Sequence, residues 1–195
     1  MTIEIITAIA LGIGLSASAG FRVFVPMLVA SVAAYFGWIP LNEGFEWLGS
    51  LPTLIVCAVA VVFEIAAYYI PFVDNLLDTI ATPLAVIAGT LLMTSVMPID
   101  NNLLRWVTGF IIGGGASAAI QTGTALTRGL STGTTAGLGN PVVATGENVA
   151  AVGFSIGSVL LPIVVAVLVI GLIVYGLNKF GHRLFGQKEV GETIN

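Results

Sequence analysis

Apolar residues follow one another along this chain in blocks far longer than a soluble helix or strand needs. From Ile5 to Leu41 the only charged residue is Arg22. A bilayer core of about 30 Å is crossed by about 20 apolar residues rising about 1.5 Å each. One crossing does not use up this run. Gly20 beside Arg22, and Pro26, offer a break, so the pattern predicts two segments, 5–20 and 23–39. A polar loop follows at 40–50 with Asn42, Glu43 and Glu46, flanked by Trp38 and Trp47 as interfacial anchors. The next run, 51–70, is interrupted once, by Glu64. A polar turn at 71–78 leads to an uncharged helix at 79–97, closed by Pro98.

A loop with Asp100, Asn101, Asn102 and Arg105 precedes a helix at 106–127. The last uncharged run, 148–178, carries Pro162 as a kink, and Lys179, His182, Arg183 and Lys188 follow it. Between these runs lies 128–147, as long as a span but full of Gly, Ser and Thr. Irregular backbone survives at membrane depth only where protein buries it or water lines it. The segment is therefore either re-entrant or broken, or a helix packed wholly inside the bundle. The fold class is all-α: a polytopic transmembrane bundle of about six or seven membrane segments. Residues 1–180 form one transmembrane domain and 181–195 a cytoplasmic tail.

Composition agrees. The chain is 57% hydrophobic and 8% charged, against about 25% charged in soluble domains, so most of its surface must face lipid. The net charge of −4 names no partner. Cys57 is the lone cysteine, so no disulfide forms within the chain, and with His182 also alone there is no Cys/His metal set. No metal or cofactor is implied. The N-terminus carries Glu4 without Lys or Arg, unlike a cleavable signal sequence. Arg105, Lys179, Arg183 and Lys188 hold most of the basic charge. They share the cytoplasmic face if 128–147 returns to the side it entered from; with the N-terminus also inside, the 71–79 turn is then outside.

The candidate chemistry lies in the exceptions to the apolar pattern. A charge in the bilayer core costs at least about 2.5 kcal/mol on insertion scales. Arg22 either sits at a hairpin tip and reaches the headgroups, or pairs with Glu64 or Asp74 inside the bundle. Glu64 either snorkels to the nearby interface or binds a proton or cation. Asp74 and Asp78, four apart, share a helix face and would suit proton relay or cation coordination, or simply form a solvated turn. Glycines recur every fourth residue at Gly109/Gly113, Gly129/Gly133/Gly137 and Gly153/Gly157, a pattern that lets helices approach closely and fits a homo-oligomer. The hydroxyls of Ser131, Thr132, Thr134 and Thr135, with Asn140, would line a polar path from Arg128 to Glu147, broken at Pro141. Leu15-SASAG before Arg22 is like Gly115-ASAA before Arg128, and Pro71-FVDNLLD is like Pro141-VVATGEN, which suggests inverted-repeat halves at 5–97 and 106–178. No nucleophile triad, HExxH or phosphate loop occurs, and no basic, aromatic-interleaved cluster for nucleic acid.

GLSASAGFRVFVPML, the stretch from Glu64 through IPFVDNLLDTIATPL, and the later GLGNP followed by an acidic residue resemble the bacterial membrane family catalogued as domain of unknown function 4126. The resemblance covers about residues 5–175. It implies a bacterial inner-membrane, multi-pass protein, and that Arg22, Glu64, Asp74, Asp78 and Asn140 belong to one shared pattern. It carries no substrate. The residues themselves point to a small channel or transporter for an ion or polar solute. A lipid-handling protein (flippase or headgroup-processing enzyme) and a non-transporting accessory subunit are the rivals.

Overall fold

The computed structural model describes the backbone of residues 2–185, and the side chains of all of these but Pro71, Phe72, Asp74, Asn75, Leu76, Asp78 and 180–185. Its helices are α1 (Thr2–Ala19), α2 (Phe24–Tyr35), α3 (Leu51–Ala67), α4 (Pro71–Val96), α5 (Asn102–Thr108), α6 (Gly115–Thr135), α7 (Asn140–Leu160) and α8 (Pro162–Phe185). A π-helical turn, Gly109–Gly114, joins α5 to α6, so the described chain forms seven rods. Five contain stretches long and apolar enough to cross a membrane: α1, Thr79–Val96 of α4, Asn102–Thr135, α7 and Pro162–Lys179 of α8. The other two, α2 and α3, have 12 and 17 residues.

Local chemistry places the ends. Ser50 caps α3 by accepting the Thr53 N–H, and Asn101 caps α5 by accepting that of Leu104. Proline opens α4 and α8 and stands in the first turn of α7, where its missing N–H costs nothing. Residues 128–147 are a broken stretch, one of the alternatives the sequence offered, and not one helix packed inside the bundle: α6 runs helically to Thr135, turns through Ala136 (φ 51°) and Gly137 (φ 86°), and α7 starts at Asn140. The Thr135 hydroxyl accepts the Gly139 N–H and closes the turn. Pro162, by contrast, does not kink one helix as expected. Leu161 leaves helical geometry (φ −137°), and the chain reverses there.

The reversal is visible along α1. Gly14 abuts both Ser158 and Val165, while further up Phe21 stacks on Phe154 and shares a cluster with Ile173. Hence α7 runs antiparallel to α1 and α8 parallel to it. In the same way Gly12 meets Met93 and Ser16 bonds Gly89, so α4 is antiparallel to α1. Thr94 faces Gly109 and Gly89 faces Ser117, which makes the π turn and α6 parallel to α1. The helices matched by the internal likeness, α1 with α6 and α4 with α7, thus run in the same sense. An inverted repeat does not relate them.

The interior is built of small residues. Ser16, Ala17, Ser18 and Ala19 are fully enclosed, and a Cβ on Gly20, Gly89 or Gly113 would meet a neighbouring backbone. Their absence lets α1, α4 and α6 approach closely, as membrane helices do where dispersion must replace the hydrophobic effect. Several buried hydroxyls bond carbonyls, as Ser16 does to Gly89 (2.8 Å) and Ser18 to Gly14 (2.7 Å). The large apolar residues face outward, among them Val62, Phe63, Val149 and Val167. A Cβ on Gly129, Gly133 or Gly153 would meet nothing within 4 Å among the described residues. This is the inside-out distribution that a lipid solvent permits.

Three rods follow the 98–101 loop, so that loop and the end of α8 lie at opposite ends of the bundle. Arg105 and Lys179 therefore do not share a face, contrary to the expectation from charge. The start of α1 and the end of α8 are at opposite ends as well. Residues 186–195, with Lys188, lie outside the described residues.

Candidate functional site

Arg22 stands at the corner between α1 and α2. The α1 helix unwinds at Gly20, where the 20–22 N–H groups bond back to Ala17 and Ser18, and the side chain turns into the bundle. It is only 1% exposed. It is at a hairpin tip, then, but it does not reach headgroups. Its Nη1 donates to Glu147 Oε2 (2.9 Å) and to the Phe21 carbonyl (3.0 Å). Its Nε donates to Asn148 Oδ1 (2.6 Å) and Nη2 to the Ala144 carbonyl (3.2 Å).

Arg128 comes to the same carboxylate from the other side. Its Nε donates to both Glu147 oxygens at 3.1 Å, and its Nη2 donates to Oε2. One buried carboxylate therefore serves two buried guanidiniums. Both lie over the ring of Tyr68, with Cζ 3.8 Å from its centre for Arg22 and 4.3 Å for Arg128. The ring's negative face attracts both cations. Arg128 and Glu147 stand seven residues from the facing ends of α6 and α7, so the triad lies about 10 Å inside the α6–α7 turn.

Glu64 does not pair with Arg22 as expected. It reaches from α3 to the start of α2, where Oε1 accepts the Val23 N–H (2.7 Å) and Oε2 the Phe24 N–H (3.0 Å). A helix N-terminus offers unbonded N–H groups and a partial positive charge, and α2 has no side-chain cap of its own. The carboxylate is satisfied by backbone, and Glu147, 125 residues along the chain, takes the arginine instead.

Of the expected path, Thr132 and Asn140 bond each other (3.1 Å) across the α6–α7 turn, and Thr134 is exposed and bonds its own helix at Leu130. They form a local clasp beside the triad. Asp74 and Asp78 lie in the first turns of α4, and their side chains are outside the described residues. Sequence reasoning missed Tyr68 and Asn148. Tyr68 follows Glu64 by four residues and so shares its helix face, and Asn148 adjoins Glu147, which are the signals that could have found them.

A cleft of about 610 Å³ opens beside the triad, between α6, α7 and α8. Phe21, Ile120, Leu126 and Leu172 give it apolar walls, Gly123, Gly146 and Gly176 leave it room, and Glu147 reaches it. A second apolar cleft of about 320 Å³, between α2, α3 and α4, ends on Glu64.

The family model described as Domain of unknown function (DUF4126) matches residues 9–180. The chain belongs to that family. The match takes in Arg22, Glu64, Tyr68, Arg128 and Glu147, so the whole buried cluster falls within the family's domain. No curated protein and no solved structure matches the chain.

Proposed function

We propose that this protein handles an amphiphilic lipid within the membrane. The observation that carries the reading is the 610 Å³ cleft, apolar along its walls and charged where it meets Glu147. An acyl chain would lie between α6, α7 and α8, and its polar end would meet the carboxylate shared by Arg22 and Arg128. Binding sites of this kind combine apolar walls with a few placed polar groups. A Cβ on Gly123 or Gly146 meets nothing within 4 Å, so a larger residue there fills the cleft and leaves the bundle's packing alone. The test is lipid retained by protein purified in mild detergent, measured by mass spectrometry. Wild type should keep a stoichiometric lipid that Gly146→Leu loses at unchanged thermal stability. Equal retention by both, or none by either, would overturn the proposal.

A channel or transporter for an ion or small polar solute is the second reading, favoured by charge buried well inside the helices. Solute flux in liposomes that Glu64→Gln abolishes, with Gly146→Leu silent, would decide for it.

The reading also includes a bacterial inner-membrane location with the end of α8 in the cytoplasm. Lys179 and Arg183 stand in the last turns of α8 at that end, and Glu43, Glu46 and Asp100 belong to the other.

A further inference from the structure

The end of the bundle away from the triad holds a third cleft, of different character. The 42–43 and 98–102 loops enclose about 500 Å³, lined by Asn42, Glu43, Asp100, Asn102 and Arg105 together with Pro98 and Ile99. Asn42 pins the two loops together: its Nδ2 donates to the carbonyls of Thr94 (2.9 Å) and Met97 (2.7 Å), and its N–H to that of Ser95. Arg105 is 8% exposed, and Asn102 Oδ1 takes one of its terminal N–H groups. Its buried Nε has no hydrogen-bond partner. A buried guanidinium N–H without an acceptor is costly and is normally satisfied, so Arg105 brings unused donor capacity to the wall of the cleft.

We propose that this cleft binds a zwitterion that joins a phosphate to a primary ammonium, the chemistry of phosphoethanolamine. The phosphate accepts from Arg105, whose planar fork suits it. The ammonium sits between Glu43 and Asp100. A bare anion is disfavoured because those two carboxylates share the wall with Arg105, and a bare metal cation is disfavoured by Arg105 itself. Neither charge alone satisfies the site. The carboxylates accept N–H hydrogen bonds, which a primary ammonium supplies threefold and a trimethylammonium lacks. No aromatic ring lines the cleft to hold a quaternary ammonium by cation–π contact. The site thus selects ethanolamine over choline.

The same chemistry comes from a free solute or a lipid headgroup. Trp38 and Trp47 are exposed at this end, and Trp106, also exposed, packs on Phe45 (centroids 5.7 Å apart), next to Arg105 in sequence. Such rings sit at headgroup depth, which favours the lipid.

The full chain in nanodiscs of phosphatidylglycerol would be titrated with O-phosphoethanolamine, and in micelles with short-chain phosphatidylethanolamine or phosphatidylcholine, following tryptophan fluorescence and calorimetry. Saturable binding of the ethanolamine lipid, with the choline lipid weaker by about ten-fold or more, is expected. Binding of the free zwitterion alone would support the site with a solute as its source. Asp100→Asn, at an exposed position, and Arg105→Gln should each weaken binding about ten-fold, the first without altering thermal stability. No saturable signal from either probe, equal affinity for the choline lipid, or undiminished binding by Asp100→Asn would overturn the proposal.

Discussion

Arg22, Arg128 and Glu147 show how a chain with few charges can bury three of them. Each guanidinium would be prohibitively costly alone in hydrocarbon, and the shared carboxylate, the Tyr68 ring and the Ala144 and Phe21 carbonyls together make the burial tolerable. Glu147→Gln should therefore destabilise far more than loss of one hydrogen bond, by about 3–5 kcal/mol, because both guanidiniums lose the carboxylate they share. Adding Arg128→Gln should cost less in that background than in wild type, since the carboxylate it bonds is already neutral. Thermal unfolding in detergent for the two single variants and the double variant checks this as a cycle; additive losses would mean the triad is not one electrostatic unit. Sequence alone marked Arg22 as a costly charge, because a charge in an apolar run stands out, and Arg128 and Glu147 only as the two ends of a polar path. The pairing stayed hidden, since Arg22 and Glu147 are 125 residues apart and Glu64 was the nearer carboxylate.

At the scale of elements, run length was informative and breaks were not. The spans at 5–20, 79–97 and 106–127 are legible because hydrocarbon tolerates so few residue types. Proline and glycine were ambiguous: Pro162 fits a kink or a reversal equally, and only the packing of α7 and α8 on opposite-running stretches of α1 decides it. The Gly/Thr-rich stretch looked irregular because those residues are poor helix formers in water. In α6, Thr127, Thr134 and Thr135 satisfy their hydroxyls on carbonyls of the preceding turn, so the helix continues. Its end then depends on Ala136 at φ 51°, a region that costs a residue with a Cβ about 1 kcal/mol. Ala136→Gly should raise the unfolding free energy by roughly that amount and so raise the midpoint, and Gly137→Ala, at φ 86°, should lower it. The two changes in one melting experiment test whether the α6–α7 turn is formed as described. Equal effects of the same sign would refute it.

For the whole molecule the rods decide what charge counting could not. Seven alternating rods put the start of α1 and the end of α8 at opposite ends of the bundle, so the two are not both cytoplasmic if every rod crosses. The basic side chains near the end of α8 then argue against the acidic loops at 40–50 and 98–101, because cytoplasmic loops hold Lys and Arg while Asp and Glu weigh little. Cys57 is the only cysteine and is buried, so a Cys57→Ala background leaves a blank surface for reporters. Leu138, 85% exposed in the α6–α7 turn, reports the face where α8 ends, and exposed Gly44 reports the other. In intact cells with a permeable outer membrane, an impermeant maleimide should label Gly44→Cys at once and Leu138→Cys only after the inner membrane is breached. Labelling of both from outside would break the alternation of rods. Labelling in the reverse order would keep the fold and turn it over, placing the zwitterion cleft in the cytoplasmic leaflet, where a phosphoethanolamine ligand would then have to come from that side.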